Sequence, residues 1–338
     1  MRPPVPVDRY HRQRIVPEIG EAGQRALREA RVLVLGVGAL GSLAAELLAR
    51  AGVGHLRIVD RDVVELTNLQ RQVLYTEADV DAPKAEAAAR RLAAMNSDVA
   101  IEALAKDFNG RTYADLLHGV DLVIDGTDNM EARLLLNDAC LQLGIPWIYG
   151  GAIGTNGMVL PVRPDAGPCF RCMVPEAPPP GSLPTCDTAG VLNTVPAAIA
   201  GLQVTLALRE LVGNPAPPKL YVLDVWTMEF QALELKRRRD CRACVRREFD
   251  FLAAPREVLA TLCGRDAISL DPLHAGTIEL GPLGERLMKL GKVRTAGSVL
   301  VFEGEGVALT VFPDGRALIR GTSDPDRAKA LYAKYVGR

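Results

Sequence analysis

The 338-residue chain has no apolar run approaching the ~20 residues that a membrane span needs. Its first residues, Met1-Arg2-Pro3-Pro4, lack the apolar stretch of a secretory signal, so a cytoplasmic setting is expected. Net charge is nearly absent, −1 from 40 basic and 41 acidic residues, and no broad nucleic-acid surface is expected. The basic run Lys236-Arg237-Arg238-Arg239 is short, ends at Asp240 and reads as a solvated ladder. His11, His55, His118 and His274 have no metal-ligating spacing, although His11 sits in an arginine-bearing arm. No internal repeat is visible. The apolar fraction of 48% does support a sizeable core, enough for one large domain and a small one.

Seven cysteines are present, and in a reducing compartment they read as metal ligands or reactive thiols instead of disulfides. Cys169-x-x-Cys172 and Cys241-x-x-Cys244 lie 68 residues apart. Four thiolates in two short spacers suit a tetrahedral Zn²⁺ and leave no open position, so the metal would be structural. Cys140, in an apolar helix, and Cys263 read as small core residues. Cys186 follows a segment, Pro175–Pro184, with five prolines in ten residues that is expected to be a mobile loop.

The pattern of elements predicts a doubly wound, mainly parallel α/β sheet. Apolar runs at Val32–Leu35, Leu56–Asp60, Ala100–Ala105, Asp121–Asp125 and Trp147–Gly150 read as strands. They alternate with helices at Ser42–Ala51, Pro83–Met95 and Glu131–Leu143. A strand at Met158–Val162, antiparallel, a long apolar helix at Leu192–Leu211 and a strand at Leu220–Val225 follow. Residues 1–252 are expected to form this domain and 255–338 a small α+β module. The module is read as a helix at Pro255–Cys263, a helix at Leu283–Leu290 and a strand at Val299–Glu303. A hairpin turning at Pro313-Asp314-Gly315 and a final helix capped by Asp324 complete it.

The first strand ends in Gly36-Val37-Gly38-Ala39-Leu40-Gly41 and a helix follows, the context in which G-x-G-x-x-G binds a dinucleotide or nucleotide phosphate. Asp60, at the end of the second strand, suits ribose hydroxyls. These residues alone would give NAD or FAD binding as the default. The dense polar stretch that follows, Arg61 to Gln72, is foreign to a plain dehydrogenase. Within it Asn68, Arg71 and Gln72 can reach a triphosphate, as can Lys84 at the start of the next helix. Asp128, past the carboxyl end of a later strand, suits Mg²⁺, which binds through few carboxylates plus phosphate oxygens.

These stretches together resemble the prokaryotic E1-like adenylyltransferases of the ThiF, MoeB and HesA type. The matching residues are Arg9-Tyr10-His11-Arg12-Gln13, Gly36 to Gly41, Asp60-Arg61-Asp62, Asn68 to Gln72, Pro83-Lys84, Thr127-Asp128-Asn129 and both cysteine pairs, covering roughly residues 8–250. Ala39 departs from the G-x-G-G-x-G form common in that family. The resemblance implies adenylation of the C-terminal Gly-Gly carboxylate of a ubiquitin-like sulfur-carrier protein by Mg-ATP, with release of pyrophosphate, ahead of thiocarboxylate formation. A sulfur donor such as a cysteine desulfurase or sulfurtransferase is then a further partner. It implies that Gly36, Gly38, Ala39, Gly41, Asp60, Asp62, Asn68, Arg71, Gln72, Lys84, Asp128 and Asn129 hold the nucleotide and that Asp128 holds Mg²⁺. It also implies a homodimer in which Arg12 reaches the partner protomer's site, and a loop cysteine, Cys186, that takes part in sulfur transfer in some relatives.

Three rivals remain on the sequence. A tRNA-modifying cyclic-adenosine dehydratase is disfavoured by the near-neutral charge and the full cysteine clip. A binding subunit without catalysis is disfavoured by the intact Arg12, Arg71, Lys84 and Asp128. An NAD-dependent oxidoreductase lacks a hydride-partner site. The tail, with Cys263 alone, is too short for a rhodanese domain and carries nothing that reads as catalytic.

Overall fold

The computed structural model describes residues 9–179, 182, 186–253, 258–261, 266–272 and 277–337; for 186–187 and 258–261 it describes the backbone alone. Two compact units result. The first comprises Met1–Asp62, Leu66–Ala78 and Lys84–Ala253, and the second Val63–Glu65, Asp79–Pro83 and Ala254–Arg338.

The first unit is built on eight strands, β1 (Arg31–Leu35), β2 (His55–Val59), β3 (Ala100–Leu104), β4 (Leu122–Asp125), β5 (Trp147–Ile153), β6 (Asn156–Val162), β7 (Lys219–Asp224) and β8 (Glu229–Glu234). They lie in the order β3-β2-β1-β4-β5-β6-β7-β8. The first five pair in parallel and the remainder antiparallel. β4 and nearly all of β1 are buried, as continuous apolar runs covered on both faces must be. Helix Ala39–Ala51 packs on helix Thr194–Leu211. The order reverses between β1 and β4, so the crevice at their carboxyl ends is the place where ligands bind in open α/β sheets.

The second unit is an antiparallel sheet of β9 (Val258–Thr261), β10 (Ala267–Asp271), β11 (Lys292–Ala296), β12 (Val299–Gly304), β13 (Val307–Val311) and β14 (Ala317–Arg320). Their order is β11-β12-β13-β14-β10-β9. Helices Leu280–Leu287 and Pro325–Tyr335 pack on it around Phe302, Leu309, Ile319 and Tyr335. Asp324 caps the last helix by accepting from the Asp326 N–H at 3.0 Å.

One expected element is overturned. Pro255–Cys263 was expected as a helix, but Val258–Thr261 is strand β9, paired with β10. Cross-strand pairing outweighs the weak helical preference of so short a segment. Strands β8, β10 and β11 have no counterpart in the sequence reading. Of Pro175–Pro184, the described residues carry no helix or strand, while 180, 181 and 183–185 lie outside the described residues, as do Cys263 and His274. Among the described residues no helix is long and apolar enough to cross a membrane.

Candidate nucleotide site and thiolate clip

The glycine loop is shaped by close backbone packing. Gly36 has φ +81°, open to glycine at little cost, and a Cβ there would lie 2.8 Å from the Gly126 carbonyl oxygen. A Cβ at Gly41 would sit 1.8 Å from the Gly36 oxygen, so helix Ala39–Ala51 starts directly against the loop. Gly38 differs. A Cβ there meets only the side-chain nitrogen of Gln72, at 3.8 Å, so its missing side chain leaves open space at the amino end of a helix. Such a cradle fits an approaching phosphate. Gln72 itself is 4% exposed, and its side-chain oxygen is buried without a hydrogen-bond partner among the described residues.

These two glycines give a clean comparison. Gly41→Ala must displace backbone and is expected to lower the melting temperature markedly. Gly38→Ala should melt close to the wild type and lose nucleotide affinity roughly tenfold or more, because its methyl occupies the space a phosphate would take. Calorimetric melting beside nucleotide titration checks both; a comparable loss of stability in the two variants would make Gly38 a packing residue only.

Asp60 closes the loop from the end of β2. One carboxylate oxygen accepts from the Val37 N–H at 2.8 Å and the other from the Asp62 N–H at 2.8 Å. Burial pushes its carboxyl up, while the Lys84 ammonium and the two backbone donors pull the other way. Lys84 is also buried, and its ammonium lies 3.3 Å from Asp62. Burial alone would lower Lys84, but Asp62, Asp60 and Asp128 outweigh it and hold the group above its ordinary range, hence cationic. Arg61 pairs with Asp107 at 3.2 Å and feels the charge of Asp128.

Asn68 is 1% exposed at the end of the short helix Leu66–Asn68. Its carbonyl accepts from the N–H groups of Arg71 and Gln72 at 3.1 and 3.0 Å, and the Arg71 guanidinium donates to the Thr67 carbonyl at 2.9 Å. Tyr75, which the sequence reading passed over, ties this segment to the loop: its hydroxyl donates to the Val37 carbonyl at 2.8 Å.

Asp128 is exposed, three residues past the end of β4. The turn that presents it is held by two further residues the sequence reading missed. Buried Asp125 accepts from the Thr127 N–H and hydroxyl at 2.9 and 2.7 Å. Arg133 pairs with Asp125 at 3.3 Å and donates to the Thr127 carbonyl at 2.7 Å and the Gly150 carbonyl at 3.2 Å. The legible signal was a charge ending a buried strand with an arginine one helical turn into the next element. The Asn129 side chain caps helix Met130–Leu143 by accepting from the Ala132 N–H at 2.8 Å, which accounts for this residue without a ligand.

Arg12 stands apart. It is exposed in the turn His11–Arg14. The neighbouring Gln13 donates to the Ala51 carbonyl at 2.8 Å, at the far end of the helix whose other end meets the glycine loop. That helix has 13 residues, so about 20 Å separates this anchor from the loop. Cys186 opens the short helix Cys186–Ala189, described in backbone only.

The two cysteine pairs converge. Cys169, Cys172, Cys241 and Cys244 are all buried, with their sulfurs within 4.8 Å of one another. Three of the separations are 3.9, 3.6 and 3.5 Å. A tetrahedron of sulfurs on ~2.3 Å Zn–S bonds has edges of ~3.8 Å, so the donor set fits zinc in both chemistry and size. Without a cation the cluster cannot hold four thiolates. Hydrogen bonds from neighbouring thiols pull Cys172 down to about 3, and the hydrogen bond to Cys172 together with burial pushes Cys169 far up. Arg171, between the first two cysteines, pairs with fully buried Asp138 at 3.0 Å and with Asp250 at 3.2 Å, tying the clip to helix Met130–Leu143. Cys140 is fully buried, its thiol pushed well up by burial, and serves as core.

A switch-point crevice with a glycine loop, two buried charges beside it and a four-cysteine cluster that fits a metal define a Rossmann-like fold with a candidate nucleotide site. The sequence pattern of the ThiF family matches residues 10–243, and the chain belongs to that family. It is 40% identical over 336 residues to the sulfur carrier protein ThiS adenylyltransferase of Bacillus subtilis (strain 168), covering 97% of this chain and 99% of that one. The sulfur carrier protein adenylyltransferase of Thermus thermophilus is 40% identical over 245 residues, 70% of this chain and 90% of that one. Among solved structures, E. coli MccB with AMPCPP and MccA is similar in fold, with a TM-score of 0.61 at 23% identity over 70% of this chain and 74% of that one.

Proposed function

We propose that the protein is an ATP-dependent adenylyltransferase that activates the C-terminal Gly-Gly carboxylate of a ubiquitin-like sulfur carrier. The observation that carries this reading is the near-full-length similarity to a ThiS adenylyltransferase, since it spans both units.

In the proposed reaction a carboxylate oxygen attacks the α-phosphorus of ATP. The bond from that phosphorus to the bridging oxygen breaks, and pyrophosphate leaves with its electron pair. The carboxylate is already ionised, so no general base is needed. Catalysis is positioning and charge neutralisation. Asp60 would hold ribose hydroxyls, and Asp62 would belong to the same nucleotide site. Gln72 borders the space at Gly38 where phosphates would lie, Asn68, Arg71 and Lys84 would complete the phosphate site, and the cationic state of Lys84 would offset the repulsion between two anions. Lys84 is held by Asp62, so binding exchanges part of that ion pair for phosphate. Asp128 and the phosphates would hold Mg²⁺, which supplies charge neutralisation when bound. Arg12, remote from its own loop, is suited to the site of a second protomer in a homodimer. Cys186 and a sulfur donor belong to the later step that makes the thiocarboxylate.

The test is ATP–pyrophosphate exchange with a panel of Gly-Gly-ending carriers, each beside a form truncated by its last two glycines. Exchange with one carrier and not with its truncation is the expected result. No exchange with any carrier, in metal-loaded protein, overturns the reading.

A further inference from the structure

Two short pieces between β2 and helix Lys84–Met95 belong to the second unit. Val63–Glu65 and Asp79–Pro83 group with Ala254–Arg338, while the intervening Leu66–Ala78 stays with the first unit. The two flanks form a stem. Val63 and Pro83 make an antiparallel bridge, the Val64 N–H donates to the Ala82 carbonyl at 2.9 Å, and the Asp81 N–H donates to the Val64 carbonyl at 2.8 Å. Asp81 has φ +70°, a left-handed conformation that costs a non-glycine residue energy and persists where the surroundings hold it. The holding groups are two arginines of the second unit. Arg320, on β14, pairs with Asp81 at 3.0 Å and lies 3.9 Å from Glu65, and Arg294, on β11, also pairs with Asp81.

Both ends of this stem run into the candidate phosphate residues. Asp62 and Lys84 adjoin it outside, with the Lys84 N–H donating to the Asp62 carbonyl at 2.9 Å, and Asn68, Arg71 and Gln72 lie on the excursion it closes. We propose that Arg320 and Arg294, through Asp81, are positioning residues for nucleotide binding: they fix the stem that adjoins Asp62 and Lys84 and closes the excursion carrying Asn68, Arg71 and Gln72. The second unit thereby has a role in the adenylation reaction without supplying a group that touches ATP. This rests on the nucleotide reading above.

The experiment is calorimetric titration of the full chain with Mg-ATP, comparing wild type, Asp81→Asn, Arg320→Gln, the double variant and Arg320→Lys. Asparagine tolerates the left-handed conformation, so Asp81→Asn removes the charge and spares the turn. Titration separates the dissociation constant from the fraction of binding-competent protein. Each neutralising variant is expected to weaken Mg-ATP binding by roughly two- to thirtyfold at unchanged stoichiometry. The double variant should be no worse than the weaker single, because the partners share one interaction. Arg320→Lys should fall between Arg320→Gln and wild type. Wild-type dissociation constants in Asp81→Asn and Arg320→Gln overturn the proposal, as does a loss confined to stoichiometry, which would mark a purely structural role. Absence of Mg-ATP binding by the wild type overturns the nucleotide reading itself and the stem's role with it, a pattern distinct from the other two.

Discussion

Asp128→Ala is expected to slow carrier adenylation by at least about a hundredfold while leaving the melting temperature near that of the wild type. The two halves of this expectation come from different observations. Asp128 is exposed, so the fold has little invested in its carboxylate. Yet three cations, Arg61, Lys84 and Arg133, feel its charge, so on the proposed reading it would stand near the phosphates. A carboxylate so placed contributes through Mg²⁺ or hardly at all. Full activity with unchanged Mg²⁺ dependence in the variant would remove the metal assignment. Asp125→Asn is the informative contrast. That carboxylate is fully buried against Arg133, so its loss should lower stability as well as activity.

The other large effect belongs to the clip. Protein purified without chelator should contain about one zinc per chain, and Cys241→Ser should lose it and melt roughly 10 °C or more below wild type. Metal-binding free energy at a site of four thiolates is folding free energy. Here a bound metal would join Cys169–Cys172 to Cys241–Cys244 across a segment that includes helix Thr194–Leu211, β7 and β8. Losing it also loosens the neighbourhood of the buried Arg171–Asp138 pair. The nucleotide residues include none of these sulfurs, so the folded fraction of the variant should keep its affinity for Mg-ATP. Metal analysis that finds no zinc, or a variant that melts like wild type, would contradict the clip.

Much of this arrangement was legible in the sequence because local pattern and tertiary role coincide. β1 and β4 are buried on both faces and read as uninterrupted apolar runs; the glycine loop follows one of them directly; the cysteine pairs announce themselves by spacing. β8 was illegible for the opposite reason. All six of its residues are exposed, so Glu229 to Glu234 carry no alternation to read. β9 was misread because strand pairing decided a segment whose own preference was weak. In the site, the residues that would touch ligand were legible by type, whereas those that hold them were not. Tyr75 acts through the Val37 carbonyl, a partner that leaves no trace in the spacing of side chains, and Asp125 and Arg133 left only the faint signal of a charge ending a buried strand before an arginine in the next helix. The stem at Val63–Pro83 was hidden more deeply, since its ion-pair partners lie at Arg294 and Arg320.

That separation has a consequence in time. Asp81 and its partners are 213 and 239 residues apart along the chain. During synthesis at about 5–20 residues per second, roughly ten to fifty seconds pass between the emergence of the stem and that of Arg320. Throughout that interval the growing polypeptide carries its glycine loop and polar segment with the anchoring arginines still unmade. If the stem positions the phosphate residues as proposed, full-strength nucleotide binding is acquired only after Arg294 and Arg320 are made, and a chain still under synthesis would bind ATP more weakly than a finished one.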